Sequence, residues 1–305
     1  RRSWSVPRAG AVSVRFGRGL AAAIAVGLAG SGCAAVPVVS DYSASWTQSA
    51  GQVASASVAT LPIKSVTNFR DVAGPGLALP GGRTMTIGVV YRSGKLATLS
   101  ASDRAYLVAA GITDIVDLRT PAVAKAAPDR KIPGTKRHSA NVYAVYRTPA
   151  PPTRSVAAAK AHMQKVNTDF VAKSAQRKQI AKALKIVAAA KGPVIIHCTE
   201  GKDRTGWLAA LLQLIAGADR EQVLAEYLKS NEYREAAIAK AYSATLFRQG
   251  RTAAKAKRAL LTVEPAYLNA ALTRMDRQYG GLDGYLGKGL GLSAETIAQL
   301  KAKLS

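Results

Sequence analysis

The sequence predicts an α/β fold, in which a central, mostly parallel sheet carries helices on both faces. Two short apolar runs, at residues 112–118 and 194–196, have the length and composition of buried parallel strands. Amphipathic helical patterns, clearest at residues 180–187 and 208–215, stand between and after these runs. Buried strands that alternate with helices are typical of this fold class, which places its functional sites at the carboxyl ends of the strands.

The composition limits the class of protein. The chain has 305 residues, a formal net charge of +25 and 48% hydrophobic residues, which is enough for the core of one large domain or two small ones. The charge fits a solvated basic surface, and equally fits attraction to phosphorylated proteins or to an anionic membrane surface. Aromatic residues make up only 6%, and the lysines and arginines form no dense block. We therefore expect no binding of nucleic acid.

Cysteine and histidine are scarce. Cys33 and Cys198 are the two cysteines, which excludes a disulfide framework. The three histidines show no clustered spacing, so we expect no metal site. We also expect no cofactor.

Residues 1–35 have the composition of an export signal. A basic segment is followed by a short apolar run at residues 20–30 and then by small residues. The run is too short for a membrane-spanning helix. Cleavage after Ala34 or Ala35 would give a secreted or cell-envelope protein, lipidation of Cys33 would anchor it, and a disordered basic tail is the third alternative. We interpret residues 36–60 as a linker and residues 61–305 as one folded domain.

Turn and capping residues divide residues 61–305 into elements. The sequence predicts, in order, a strand at residues 87–92, a helix from a capping box at Ser100 and Asp103 to Gly111, a strand at 112–118, a loop at 121–133, a strand at 141–146 and a helical pattern from 156. It then predicts a helix around 180–187, a strand at 194–197, a helix ending at Gly217, a helix at 221–242, a helix from Pro265, a glycine-rich loop at 287–291 and a short helix capped by Ser293.

The most informative stretch is residues 194–206. An apolar run ends in His197 and Cys198, an arginine follows at position 204, and a helical pattern begins there. We interpret it as a strand, a tight loop and a helix N-terminus. A helix N-terminus and a nearby cation favour the cysteine thiolate, which is the nucleophilic form. Successive backbone N–H groups that open a helix form a binding site for an anion.

This loop suits attack of a cysteine sulfur on a bound phosphoryl group. Arg204 presents a planar fork that fits two phosphate oxygens, and Thr205 is placed to donate its hydroxyl to the thiolate. The expected phosphate-binding residues are Thr199, Glu200, Gly201, Lys202 and Thr205. Cys198 would form a phosphocysteine that water then hydrolyses.

Residues 197–206, with the sequence HCTEGKDRTG, resemble the signature loop of the cysteine-dependent protein tyrosine phosphatases. The full form is similar to bacterial tyrosine phosphatases that act on both proteins and phosphoinositides. Segments that match the same group stand at residues 68–74, 90–93, 117–119, 227–231 and 279–286. The resemblance implies a protein tyrosine phosphatase-like fold and hydrolysis of phosphotyrosine, with phosphoserine, phosphothreonine and phosphoinositides as further candidate substrates.

The resemblance also bears on individual residues. Relatives with this loop use or tune the aspartate at the position of Asp203, which is our first candidate for the general acid; Asp117, Asp169 and Asp71 are the alternatives. It implies that Lys202 lies at the pocket mouth and helps to accept phosphoinositides. It further implies that residues 149–175 belong to a mobile lid. Relatives commonly have a glutamate shortly after residues 117–119, where this chain has Val123 or Ala124.

Three further residues support the predicted site. Asp117 and Arg119 end a buried strand, where they form either an ion pair or part of the site. We expect His197 to orient the loop through a ring hydrogen bond, with a role in proton transfer as the alternative. Two other functions remain open: a catalytically weak phosphate-binding module on the same fold, and sulfur transfer by a rhodanese-like protein.

Overall fold

The computed structural model describes residues 61–143 and 155–305. The predicted export signal, the predicted linker and residues 144–154 lie outside the described residues. Within the described ranges, none of the helices combines the length and hydrophobicity that crossing a bilayer requires.

A five-stranded sheet organises the domain. The strands are β1 (Arg70–Asp71), β2 (Ala78–Leu79), β3 (Arg83–Thr84), β4 (Val90–Ser93), β5 (Asp114–Asp117), β6 (Lys136–Ser139) and β7 (Val194–His197). The sheet order is β1-β4-β7-β5-β6, and only β1 is antiparallel to its neighbour. β2 and β3 form a separate hairpin. The prediction of a mostly parallel sheet is confirmed.

β7 is the central strand, and its register fixes the site. His197 pairs with Ser93 of β4 on one side and with Asp117 of β5 on the other. Val194 and Ile196 face one hydrophobic core, and Ile195 faces the other. All three are fully buried, which explains why the strand is a continuous apolar run rather than an alternating one.

Helices cover the two faces of the sheet unequally. They are α1 (Ala101–Ala109), α2 (Pro121–Ala126), α3 (Val156–Ala172), α4 (Ser174–Ala189), α5 (Arg204–Ala216), α6 (Arg220–Leu228), α7 (Glu235–Leu261), α8 (Pro265–Tyr279), α9 (Leu282–Gly284) and α10 (Ala294–Leu304). The larger core includes residues of α3, α4, α5, α8 and α10, whereas α1 supplies Leu107 to the smaller core. The predicted helices on both faces are therefore present.

Several local predictions were wrong. Residues 121–133 are not all loop, because Thr120 caps α2 and Pro121 opens it. The strand expected at residues 141–146 lies at Lys136–Ser139, and its predicted end falls outside the described residues. The helix expected at residues 221–242 is interrupted between α6 and α7, and the glycine-rich loop begins as a π-helical turn, Tyr285–Gly289.

The capping box at α1 is only half formed. The Ser100 hydroxyl accepts from the Asp103 amide, as predicted. The Asp103 carboxylate instead accepts from Ser65, through both the amide at 2.7 Å and the hydroxyl at 2.6 Å. The side chain that would have closed the box therefore ties the start of the described chain to α1.

Candidate active site

The loop between β7 and α5 holds Cys198 at the carboxyl edge of the sheet. The Cys198 side chain is buried, and its sulfur accepts a hydrogen bond from the Gly201 amide at 3.3 Å. α5 begins at Arg204, so its N-terminus opens directly after the loop. The predicted strand, loop and helix are confirmed. α5 differs from the predicted amphipathic helix because nearly all of its side chains are buried, on every face.

Gly201 is required by the geometry of the loop. Its φ of 68° lies in the left-handed region, and a Cβ at this position would lie 2.5 Å from the carbonyl carbon and oxygen of Ser93. Only a residue without a side chain lets the loop approach the end of β4 this closely. That approach places the Gly201 amide within reach of the Cys198 sulfur.

Most of the loop amides have no acceptor. The backbone N–H groups of Thr199, Glu200, Lys202 and Asp203 donate to no acceptor in the part of the chain that the structure describes. Unpaired amides in a tight loop at a helix N-terminus are a suitable site for an anion. The predicted anion-binding residues are thus brought together through their main chain, not their side chains.

Arg204 is distinguished by its contacts. Five arginines are buried among the described residues, and four of them, Arg70, Arg92, Arg119 and Arg234, pair with carboxylates. The Arg204 guanidinium instead donates to the Leu118 carbonyl and the Thr199 hydroxyl, each at 3.3 Å, and lies 4.5 Å from the centre of the Tyr143 ring.

No carboxylate of the described chain forms a salt bridge with Arg204, and the charges of Asp203 and Asp117 act on it only from a distance. Burial alone would lower the pKa of Arg204, but the negative charge available at Cys198 raises it above its ordinary value. A buried cation without a counter-ion is costly unless a bound anion compensates it. The arrangement is suited to a phosphate group beside the sulfur.

The side chains of Lys202 and Thr205 do not lie as predicted. Lys202 is not at an open pocket mouth, because its side chain is buried. Its ammonium donates to the Asp203 carboxylate at 2.9 Å and to the Thr262 carbonyl at 3.4 Å. The Thr205 hydroxyl is also buried and has no partner among the described residues, so its predicted hydrogen bond to the sulfur is not formed.

His197 lies above a buried cluster of charges. Its Nδ1 donates to the Cys198 carbonyl at 3.3 Å, in accordance with the predicted orienting role. Its Nε2 lies 3.2 Å from Asp129 Oδ2 and 3.9 Å from Asp117 Oδ1. Arg119 binds both carboxylates, at 2.8 Å to Asp117 and 2.7 Å to Asp129.

Within this cluster Asp117 and Arg119 form an ion pair, which is the first of the two roles predicted for them. Burial would raise the pKa of Asp117, but hydrogen bonds from Arg119 and the charge of His197 hold it well below its usual range. Asp117 is therefore unsuited to donate a proton. Asp117, Asp129 and His197 have the spacing of a metal site, but guanidinium groups already occupy the carboxylates that a cation would need.

A second buried network holds the loop from the side of β1 and β4. Glu226 on α6 pairs with Arg70 and, at 2.6 Å, with Arg92. Arg92 also donates to the Gly201 carbonyl at 2.9 Å. Asn68 donates to the same carbonyl at 2.8 Å and adopts a φ of 60°. Because both contacts reach one carbonyl, they fix the peptide that follows Gly201.

Replacing Glu226 with glutamine tests this network. The variant leaves two buried guanidinium groups without their counter-ion, so we expect the free energy of unfolding to fall by about 3–5 kcal/mol. Urea denaturation would measure the change. Glu221→Gln, on the exposed first turn of the same helix, should lower it by less than about 1 kcal/mol. Equal losses in the two variants would contradict the assigned role.

Sequence reasoning missed Asp129 and Glu226. Asp129 stands in a stretch rich in proline and alanine, and Glu226 is one of several glutamates in a helical pattern. Neither has a local signal, because their partners come from other elements. Arg92 and Asn68 do fall in segments that matched the phosphatase group, although no role was derived for them.

The fold and the loop together define a protein with a cysteine-led anion-binding site at the edge of a parallel sheet. Comparison of the sequence with known protein families identifies the family of this chain. The sequence profile of the tyrosine phosphatase family matches residues 61–305. The chain belongs to this family and is a protein-tyrosine phosphatase, a phosphomonoester hydrolase that acts on phosphotyrosine.

The relatives cover most of the chain. A candidate tyrosine-protein phosphatase of Cupriavidus necator is 32% identical over 248 residues, which are 79% of this chain and 86% of the relative. The triple specificity protein phosphatase PtpB of Mycobacterium tuberculosis is 30% identical over 272 residues, 78% of this chain and 96% of the relative. A tyrosine-protein phosphatase of Nostoc commune is 35% identical over 124 residues, 39% of this chain and 42% of the relative.

Proposed function

We propose that the chain hydrolyses phosphomonoesters through a phosphocysteine intermediate. The Cys198 sulfur attacks phosphorus, the bond from phosphorus to the ester oxygen breaks, and the leaving oxygen takes a proton. Water then attacks the phosphocysteine and releases phosphate and the thiolate. The observation that carries the proposal is a buried Arg204 that forms no salt bridge with a described residue, together with a Cys198 sulfur that already accepts a loop N–H.

The loop amides and Arg204 stabilise the charge on the three equatorial oxygens of the phosphoryl group that is transferred. Phosphoryl transfer requires little covalent chemistry beyond this, because positioning and electrostatic stabilisation supply most of the catalysis. The two buried networks support the loop before substrate arrives, since they bind the Cys198 and Gly201 carbonyls through His197, Arg92 and Asn68. These described contacts thus preorganise the anion site.

Trapping the intermediate tests the mechanism. A phosphotyrosine peptide labelled on phosphorus would be mixed with the protein and quenched rapidly into alkaline denaturant, followed by peptide mapping. We expect label on the peptide that contains Cys198. Rapid peptide turnover with no label on any cysteine would contradict the phosphocysteine, and bound phosphate with no turnover would favour the weak binding module.

For the general acid, we propose Asp203. It is the candidate carboxylate inside the loop, whereas Asp71 accepts from the Ala73 and Gly88 amides and Asp169 pairs with Lys165 one helical turn away. Burial raises the pKa of Asp71 to about 6, but its contacts are those of a turn. The contact between Asp203 and Lys202 must open for proton donation, because an ammonium binds the ionised carboxylate.

The pH dependence of Asp203→Asn tests this assignment. A general acid must be protonated, so the rate of the native protein on a poor leaving group should fall as the pH rises through the titration of that acid. The asparagine variant should lose this falling limb and turn over the same ester about 10²-fold more slowly. An ester with a good leaving group should be affected little. A falling limb that persists in the variant would assign the proton to another group.

We propose a broad substrate range for the site. The sequence similarity to a triple specificity phosphatase supports hydrolysis of phosphoserine and phosphothreonine as well as phosphotyrosine. Similarity of the loop to phosphatases that accept phosphoinositides, together with the net charge of +25, supports phosphoinositides and an anionic membrane surface as further partners. The composition of residues 1–35 supports export, with either removal of the signal or a lipid anchor at Cys33.

A further inference from the structure

Half of α7 makes almost no contact with the core. From residue 239 to residue 253 no side chain is buried, and we call these residues the exposed arm. The arm turns at Gly250, whose φ of 81° interrupts the helix. A helix of this length is marginal in water unless its apolar side chains pack against something.

Just before its turn at Gly250, the exposed arm carries an unusually exposed aromatic ring. Phe247 is 92% exposed, whereas the other large hydrophobic side chains of the described chain reach at most 47%, at Tyr106. Leu246, the preceding residue, is 41% exposed. Two adjacent apolar side chains at the turn of a helix present a small apolar surface to the surroundings.

The charge around this surface has one sign. Residues 236–263 contain no aspartate or glutamate. They contain six basic residues, Lys240, Arg248, Arg251, Lys255, Lys257 and Arg258. None of these six forms a salt bridge with a residue that the structure describes. Phe247 is therefore flanked by free cations at Arg248 and Arg251.

We propose that the exposed arm docks on an anionic lipid surface. Phe247 and Leu246 enter the boundary between headgroups and acyl chains, while Arg248 and Arg251 contact lipid phosphates. A projecting ring flanked by cations suits this boundary, because the ring can contact acyl chains while the cations remain at the level of the headgroups. This inference rests on the proposed anionic partner and names the surface that binds it.

The arm is connected to the phosphate site through its own helix. Beyond Gly250, α7 packs against α3 through Ala256, Ala259 and Leu260 and returns over ~17 Å to Leu261. There the Leu261 carbonyl accepts from Arg234, which also binds Glu200 of the loop. The next carbonyl, of Thr262, accepts from Lys202. The segment that follows Gly250 therefore connects the docking surface directly to residues that contact the phosphate loop.

A second basic surface provides a matched comparison. A groove of about 930 Å³ lies beside β6 and α4, and its rim carries Lys136, Lys178, Lys182, Lys185 and Lys191. Asp114, which also lines this groove, begins β5, so the groove lies at the end of the strand opposite to the loop. Among the described residues that line it, none is a strongly exposed hydrophobic side chain. It offers positive charge without an inserting ring.

Vesicle sedimentation of the full chain tests the proposal. We expect binding to phosphatidylcholine vesicles only when phosphatidylserine is present. Phe247→Ser should weaken this binding about tenfold, because it removes the ring that would enter the bilayer. Arg248→Gln with Arg251→Gln should weaken it about 20-fold. The matched controls Tyr106→Ser and Lys178→Gln with Lys182→Gln should change it less than about twofold.

Hydrogen exchange provides a local measurement that residues 1–60 do not affect. Amides of the exposed arm should exchange more slowly on vesicles that contain phosphatidylserine, and Phe247→Ser should abolish the difference. Unchanged exchange at the arm, or equal binding by Phe247→Ser and Tyr106→Ser, would overturn the proposal. Phe247→Ser should hydrolyse a soluble phosphotyrosine peptide at the native rate. Absence of turnover in the native protein would count against the proposed mechanism alone and leave the docking result intact.

Discussion

Replacing Cys198 with serine is expected to lower kcat on a phosphotyrosine peptide by about 10⁴-fold or more. A serine hydroxyl is protonated at neutral pH and is a much weaker nucleophile than the cysteine thiolate, the form that attacks phosphorus in the proposed mechanism. Phosphate release over a range of peptide concentrations would separate kcat from KM. KM should change little, because the groups that bind phosphate remain.

The chain supplies its own control for this experiment. Cys33 is the other cysteine, and it lies outside residues 61–305. Cys33→Ser should therefore keep the native kcat, so loss in one variant alone identifies the nucleophile. The serine variant should still bind phosphate analogues such as tungstate, which a rise in Tm would report. A Cys198→Ser protein that is folded and retains native turnover would contradict the proposed mechanism.

Replacing Arg204 with lysine should lower kcat by about 10³-fold. An ammonium keeps the positive charge but cannot hold two phosphate oxygens in one plane, so the transition state loses a bidentate contact. It also loses the geometry that lets one side chain bind the Leu118 carbonyl and the Thr199 hydroxyl together. The reduction should appear in kcat more than in KM, because charge on the phosphate oxygens must be stabilised most in the transition state.

Arg177 offers a matched control for that substitution. Its guanidinium also binds carbonyl oxygens, of Val171, Ala172 and Gly289, and lies 5.6 Å from the ring of Tyr279. Arg177→Lys loses similar contacts away from the loop, so it should lower stability while keeping the native kcat. Comparable losses of kcat in the two variants would show that the effect of Arg204→Lys is structural.

The catalytic loop was predictable because its signals are local. An apolar run, a cysteine, a glycine and an arginine stand within thirteen consecutive residues. The strand, the tight loop and the helix start that the cysteine needs are therefore all encoded next to it. The central strand, the helix that follows it and its end at Gly217 were all predicted correctly for the same reason. Patterns of this kind depend on the order of residues rather than on the tertiary fold.

The supporting charges were not predictable, because their partners lie far apart in the sequence. Glu226 contacts Arg70 and Arg92, and Asp129 contacts His197, only after the strands and helices have assembled. The buried position of Lys202 depends in the same way on Thr262. The break between α6 and α7 was missed because the helical pattern continues through residues 229–234, whereas Arg234 is drawn to Glu200 and Leu261.

The strand order has a consequence for folding. β7 lies between β4 and β5, so these earlier strands have no hydrogen-bonding partner in common until β7 has been synthesised and inserted. Val90 pairs with Val194, and such long-range contacts form slowly because a large loop must close first. Until then, β4 and β5 each have one unpaired backbone edge, and unpaired strand edges favour aggregation. The strand that carries the cysteine is thus also the one that completes the sheet, and refolding should restore the native sheet and the phosphatase activity in the same kinetic phase.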